Sequence, residues 1–306
     1  MKYNSPLAST VLFATLVLVS LVFWWNPLRD TLSLALSNDA YTHILLILPL
    51  SIALIFTGSK HIDRKPLPDH SRRRLTLEWI LPALALALAL TLVGYARWGM
   101  PGTGADLRLT WAISGLVVWW IASVFLSFGI TTFRALLFPL CLLFLMVPLP
   151  EHAVAWIVEF LQYHSASAAR VMFQMLRIPV TQEGVMLYIP NLGIEVAREC
   201  SSIRSSSMLV LTTLVLAHLF LRTWWRQALL VAAAIPLSVA KNALRIVTIG
   251  TLGTRVDPAF LDGKLHHHGG IIFFAVAVAA VVLLLLILRR TETSVPGNSS
   301  TLTPRL

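Results

Sequence analysis

Eight stretches of this chain, at 8–25, 41–57, 78–97, 109–129, 132–148, 202–221, 227–249 and 269–288, run for 17 to 23 residues with few or no charges. A bilayer's hydrocarbon core is about 30 Å thick, and a helix needs roughly 17–25 apolar residues to cross it. In lipid every backbone N–H and C=O must find its partner within the chain, which runs of this length achieve as α-helices. The sequence therefore predicts an all-α polytopic membrane protein with about eight transmembrane helices. Composition agrees: 57% of the 306 residues are hydrophobic and only 12% are charged, against about 25% charged in soluble domains. The fifth stretch is the most interrupted, with Arg134 near its start and Pro139 inside it.

A net charge of +10 raises nucleic-acid binding as a function. The basic residues fall mainly between or beside apolar runs, where they orient helices, and nucleic acid is not expected as a partner. The densest cluster is Lys60, Arg64, Lys65, Arg72, Arg73 and Arg74, which assigns that loop to the cytoplasm. Parity then predicts both termini inside and the segments 149–200 and 250–268 outside. The first apolar run lacks a small-residue cleavage site and reads as a retained helix. Residues 1–291 form one expected membrane domain, and 292–306 an expected disordered cytoplasmic tail. Within the outer segment, Trp156, Ile157, Phe160, Leu161, Met172, Met175 and Leu176 alternate with Glu159, Gln162, His164 and Arg170. That spacing fits an amphipathic helix in the membrane interface. Two apolar pieces, 185–189 and 194–196, flank Pro190-Asn191-Leu192-Gly193 and predict a short hairpin leading back to the membrane.

Three polar spots interrupt this pattern. The first is Glu199-Cys200-Ser201-Ser202-Ile203-Arg204. Ser201 and Ser202 are good helix N-caps, and a thiol at a helix N-terminus beside a cation is biased toward thiolate, the nucleophilic form. Cys200 can equally be an inert small residue at a helix start. The chain's other cysteine, Cys141, lies inside an apolar run, and two cysteines make no disulfide framework. The second spot, Lys241, Asn242 and Arg245, lies within the seventh run; Lys241 and Arg245 are one turn apart and share a face. Ionisable residues inside spans are costly and usually line a polar interior. A snorkelling anchor accounts for Arg245 alone but not for the lysine and asparagine one turn deeper. The third spot is His266-His267-His268 before Gly269-Gly270, where the last outer loop meets the eighth run. Histidine exchanges protons near neutral pH, although three consecutive helical residues cannot all serve one site. Histidine tracts also bind metals, but clear Asp or Glu companions at ligand spacing are lacking, and neither metal nor cofactor is expected. Topology brings all three spots to the outer face, where thiol, guanidinium and imidazole make a set suited to covalent acyl transfer.

At these residues the chain resembles the exosortase/archaeosortase family of membrane transpeptidases. The resemblance runs from about Tyr41 to Phe274. It comprises Tyr41-Thr42-His43, Pro148-Leu149-Pro150, Val196-Ala197 leading into Cys200-Ser201-Ser202-Ile203-Arg204-Ser205, Pro236 with Asn242 and Arg245-Ile246, and His266 before Gly270-Ile271-Ile272-Phe273-Phe274. Ser202 stands where that family usually has glycine, and Ile271 where it often has tryptophan. The resemblance implies a nucleophilic Cys200, an essential Arg245 and a catalytic histidine, which the gap before Gly270 makes His266. It implies as partners secreted proteins ending in a short motif (often Pro-Glu-Pro), a membrane helix and a basic tail, together with membrane lipid and an unidentified acceptor. Arg204, Asn242, Ser201, Lys241, His267 and His268 are supporting candidates. The implied setting is the bacterial inner membrane, with cleavage on its outer side, in company with exopolysaccharide production. The competing readings are a purely hydrolytic cysteine protease, an anion transporter using Lys241, Arg245 and Arg204, and a polysaccharide-assembly enzyme that does not need Cys200.

Overall fold

Helices are the means by which apolar runs keep their backbone groups paired in lipid, and helices dominate the computed structural model of this chain. It describes residues 6–59, 72–98, 104–190, 192–196, 203–255 and 270–293. The chain divides into two compact units, Met1–Glu151 and His152–Arg305. The first carries α1 (Pro6–Phe23), α2 (Trp25–Ser37), α3 (Ile44–Ser59), α4 (Arg72–Trp98), α5 (Ala105–Ala135) and α6 (Leu137–Leu142). From Glu151 onward come α7 (Glu151–Met175), strands β1 (Thr181–Glu183), β2 (Met186–Ile189) and β3 (Leu192–Glu195), then α8 (Ile203–Phe220), α9 (Trp224–Arg255) and α10 (Gly270–Thr293). Among the described residues six helices, in α3, α4, α5, α8, α9 and α10, are long and apolar enough to cross a membrane. The number is eight if Leu7–Phe23 with Trp25–Ser37, and Leu137–Met146 with Glu151–Met175, each count as one bent span.

Two prolines shape the first unit. Pro27 has no N–H, and its ring takes the space of the carbonyl four residues back, that of Phe23. The helix breaks there, and α2 leaves α1 at 73°. The stranded Phe23 carbonyl accepts from Arg97 Nη2 at 2.6 Å. Trp24, at the break, is fully buried, and its Nε1 donates to the Ala112 carbonyl of α5 at 2.6 Å. Trp119 Nε1 and Trp120 Nε1 reach back to the Leu16 carbonyl at 3.0 Å and to Ser20 Oγ at 2.9 Å. Between α4 and α5 the backbones nearly touch: a Cβ on Gly115 would lie 2.9 Å from the Ala89 carbonyl oxygen, the close approach that small residues permit between membrane helices.

The expected fifth span, 132–148, is not one straight helix. Gly129 sits at φ +78° inside α5 and interrupts it, a backbone state natural to glycine. Pro139 then excludes the bond to the Ala135 carbonyl, and α5 ends at Ala135. Beyond it the chain forms the six-residue α6 and a 3₁₀ turn, Leu143–Met146.

In the second unit α7 turns Leu161, Ala166, Ala169 and Phe173 inward and leaves Trp156, Tyr163 and Met175 exposed. Of the polar positions expected on the outer side, Glu159, His164 and Arg170 are exposed, whereas Gln162 is buried, and Trp156 and Met175, expected on the apolar side, are exposed. The sheet is antiparallel in the order β1-β2-β3. The expected hairpin is present as β2–β3, which pairs Ile189 with Leu192 and Met186 with Glu195, so Leu192 and Gly193, expected in the turn, belong to β3; β1 adds a strand that the sequence pattern does not announce. Phe173, Leu187, Ile189 and Val196 pack with Ala243, Ile246 and Val247 of α9 in one cluster. Deeper in this unit, Leu209 and Ala217 of α8, Leu230 of α9 and Ala277, Val281 and Leu285 of α10 form another. Glu292, near the end of α10, closes the α8–α9 turn by accepting the N–H groups of Arg222 at 3.1 Å and Thr223 at 2.8 Å.

Candidate active site

Pro236 lies inside α9, which nevertheless continues as one helix past Lys241, Asn242 and Arg245. Ser238, Lys241, Asn242 and Arg245 succeed one another at helical spacing and share a side of α9. Ser238, Lys241 and Asn242 are buried, at 1%, 7% and 1% exposure, and Arg245 is half-buried. A lysine and an asparagine so far from solvent must be met by polar partners. The first turn of α8 supplies one to Lys241 and another to Ser238. Ser206 Oγ and Ser238 Oγ are 2.5 Å apart, and Lys241 Nζ donates to Ser205 Oγ. Moving back along α8 from Ser206 to Ser205 corresponds to moving forward along α9 from Ser238 to Lys241, the register of an antiparallel pair. Arg245 stands one turn beyond Lys241 in that direction.

The chain leading to α8 is tied down as well. Val196, completely buried, donates its N–H to the Val185 carbonyl at 3.1 Å. Its own carbonyl accepts from Gln162 Nε2 of α7 at 2.7 Å.

Of the residues singled out in the sequence, Lys241 and Asn242 are therefore buried beside Arg245 in the α8–α9 seam, while Arg204 is exposed at the start of α8. Cys200, Ser201, His266, His267 and His268 lie outside the described residues. Cys141 is exposed on α6. Sequence reasoning gives no role at the site to Ser205, Ser206, Ser238 or Gln162. For the serines a signal exists: Ser238 precedes Lys241 by three and Arg245 by seven, continuing the same stripe. In the first unit Tyr41 Oη donates to the Leu149 carbonyl at 2.9 Å. That bond joins two segments, around Tyr41 and around Pro148, that the sequence alone leaves 108 residues apart.

Helices of spanning length, with a buried ladder of serine, lysine and asparagine between two of them, define a polytopic membrane protein with a polar site inside its bundle. The transmembrane exosortase family model matches residues 24–283, and the chain belongs to that family. The family consists of membrane transpeptidases or proteases that act on substrates carrying C-terminal sorting signals. No curated protein and no solved structure matches the chain.

Proposed function

We propose that the protein cleaves the C-terminal sorting signal of secreted proteins at the outer face of a bacterial inner membrane and transfers the product to an acceptor, with Cys200 as nucleophile, Arg245 as the charge-stabilising cation and His266 as the proton carrier. The Cys200 thiolate attacks the scissile carbonyl carbon. As the tetrahedral intermediate collapses, the C–N bond breaks and His266 gives its proton to the leaving amine. This leaves a thioester on Cys200. An acceptor nucleophile then attacks the thioester, gives its proton to His266 and releases the thiolate. Arg245 meets the negative charge, on sulfur or on the carbonyl oxygen, that builds in both steps. Water in the acceptor's place would make the same machinery a protease.

The α8–α9 seam carries this reading. Its hydrogen-bonded pairs, Ser206 with Ser238 and Ser205 with Lys241, set a register that leads toward Arg245 on α9 and toward Cys200 on the chain before α8. In sequence Cys200 is three residues from Ile203 and four from Val196, and Val196 packs in the cluster that holds Ala243 and Ile246. The half-burial of Arg245, beside buried Lys241 and Asn242, favours a working site over a surface anchor. The expected cytoplasmic placement of the basic loop at 60–74 supports the outer face for this site.

Arg245→Lys tests this. Lysine keeps the charge but loses the planar fork of donors. An anchor would survive the change by snorkelling. A group that organises the reacting centre should lose turnover by about 10²–10³-fold. The measurement is the ratio of processed to unprocessed reporter, ending in motif, helix and basic tail, at matched enzyme levels in membranes. Near-normal processing by Arg245→Lys would remove Arg245 from the mechanism.

A further inference from the structure

α2 carries three distinct faces. At about 100° per residue, Thr31 and Ala35 share one side and are buried. Trp25, Leu32 and Leu36 share a second and are 65%, 52% and 69% exposed, the signature of contact with acyl chains. Asn26, Asp30, Ser33 and Ser37 share the third, and they line an open groove of about 930 Å³. The opposite walls come from the end of α4, the start of α5 and residues 148–151. A helix that turns apolar side chains outward at the membrane and polar ones into a groove is arranged for a polar ligand, since lipid offers nothing to that third face.

The groove is held open by bonds already in place. Arg97 is fixed on the Phe23 carbonyl at 2.6 Å and Tyr41 on that of Leu149 at 2.9 Å. Thr110 Oγ1 donates to the Pro148 carbonyl at 2.7 Å, and the Glu151 N–H donates to Asp106 Oδ2 at 3.0 Å. Its volume falls in the range of about 300–1,000 Å³ typical of preformed ligand sites. From Asn26 to Ser37 is about 16 Å along a helix axis, the length of roughly five residues of extended peptide. Beside the committed Arg97 and Asp106, donors (Asn26, Arg108) and acceptors (Asp30, Glu151) both line it. Three carboxylates disfavour a polyanion and two arginines a polycation. A peptide backbone, with one donor and one acceptor on nearly every residue, matches both sets.

We propose that this groove binds an extended stretch, about five residues long, of the protein substrate immediately outside its membrane helix. The proposal rests on the proposed function, in which the substrate presents a sorting signal at the outer face, the face toward which the basic 60–74 loop orients α2.

The test is steady-state processing of a reporter ending in Pro-Glu-Pro, a membrane helix and a basic tail, by the full chain in vesicles. Ser33→Trp fills the groove and should raise KM at least about tenfold, the loss of one or two hydrogen bonds, while leaving kcat near wild type. Leu36→Trp, on the lipid-facing side of the same helix, should change neither. A photoreactive residue at position 33, in a Cys200→Ala background that binds without turnover, should crosslink the reporter at residues preceding its helix. An unchanged KM in Ser33→Trp, or crosslinking to phospholipid alone, would overturn the proposal. If Cys200→Ala still processes the reporter, the catalytic assignment fails, while the crosslink at position 33 continues to decide the groove.

Discussion

Gln162→Leu is the sharpest perturbation short of the reacting groups. It keeps side-chain volume and removes the amide that holds the Val196 carbonyl at 2.7 Å. Gln162 is only 9% exposed and Val196 is fully buried, so water cannot readily replace the lost donor. Leaving a buried carbonyl without its partner costs about 1–3 kcal/mol. At 1.36 kcal/mol per decade that makes local opening at Val196 about 5- to 150-fold more frequent. Val196 lies four residues before Cys200. If the chain between them must be held for the thiol to act, kcat/KM for reporter processing should fall by about tenfold, within that range. The paired control is Gln182→Leu, which also loses amide bonds, to the Gly184 carbonyl at 2.8 Å and Ser167 Oγ at 3.2 Å, but on the exposed edge of the sheet. It should stay within about twofold of wild type, as surface changes generally do. The assay is the initial rate of reporter processing in membranes at equal enzyme levels. Equal activity of Gln162→Leu and Gln182→Leu would refute the idea that this bond positions the catalytic segment.

Gly115→Ala must push its Cβ against the Ala89 backbone oxygen 2.9 Å away and should cost about 1–3 kcal/mol, read as a lowered unfolding temperature in detergent. Gly94→Ala, whose Cβ would meet only the Trp98 ring at 3.9 Å, should hold or gain stability through helix propensity. Glu292→Ala strips the acceptor from the Arg222 and Thr223 N–H groups and the ion from Arg226, 3.5 Å away; it should destabilise by about 1–3 kcal/mol in the same thermal assay. Processing should be lost in Cys200→Ala, survive strong chelators and be nearly unaffected by Cys141→Ala, since Cys141 is exposed on α6; activity lost to chelator but kept in Cys200→Ala would move the chemistry to a metal.

The spans are legible in the sequence because lipid imposes one rule on every residue at once: about 20 apolar positions and no unpaired backbone. The bends are legible only in part. Pro139 and Gly129 are visible punctuation, and the sequence boundary between the fourth and fifth runs falls at Gly129. Pro27 breaks α1 from α2 just as decisively, yet no apolar run flags it, because α2 lies beyond the expected first span of 8–25. For the site, Lys241, Asn242 and Arg245 announce themselves by charge and amide in an apolar run. Ser205, Ser206 and Ser238 do not, because hydroxyls are cheap enough in membrane helices to carry no signal one at a time. They acquire meaning only through pairing across α8 and α9. Amphipathic reasoning groups Gln162 with Glu159, His164 and Arg170; those three are exposed as it expects, but Gln162 is buried, because its amide serves the Val196 carbonyl.

The same seam bears on the choice between acyl transfer and anion transport. Transport sites near the midplane are commonly built from helices that break there and free backbone groups for the ion. α9 does not break: it continues from Trp224 to Arg255 despite Pro236. The buried Lys241 is already committed to Ser205, and the paired serines seal the seam one turn further in. A path through the bundle at this point would have to part Ser206 from Ser238, leaving two hydroxyls and a lysine to be solvated at each cycle. The polar ladder instead ends at Arg245, about 32 Å from Trp224, the first residue of α9, at ~1.5 Å per residue, close to one face of a bilayer core about 30 Å thick. A ladder closed on the inner side and ending in a half-buried guanidinium has the form of a site that works at one surface, which is what cutting a peptide just outside its membrane helix requires.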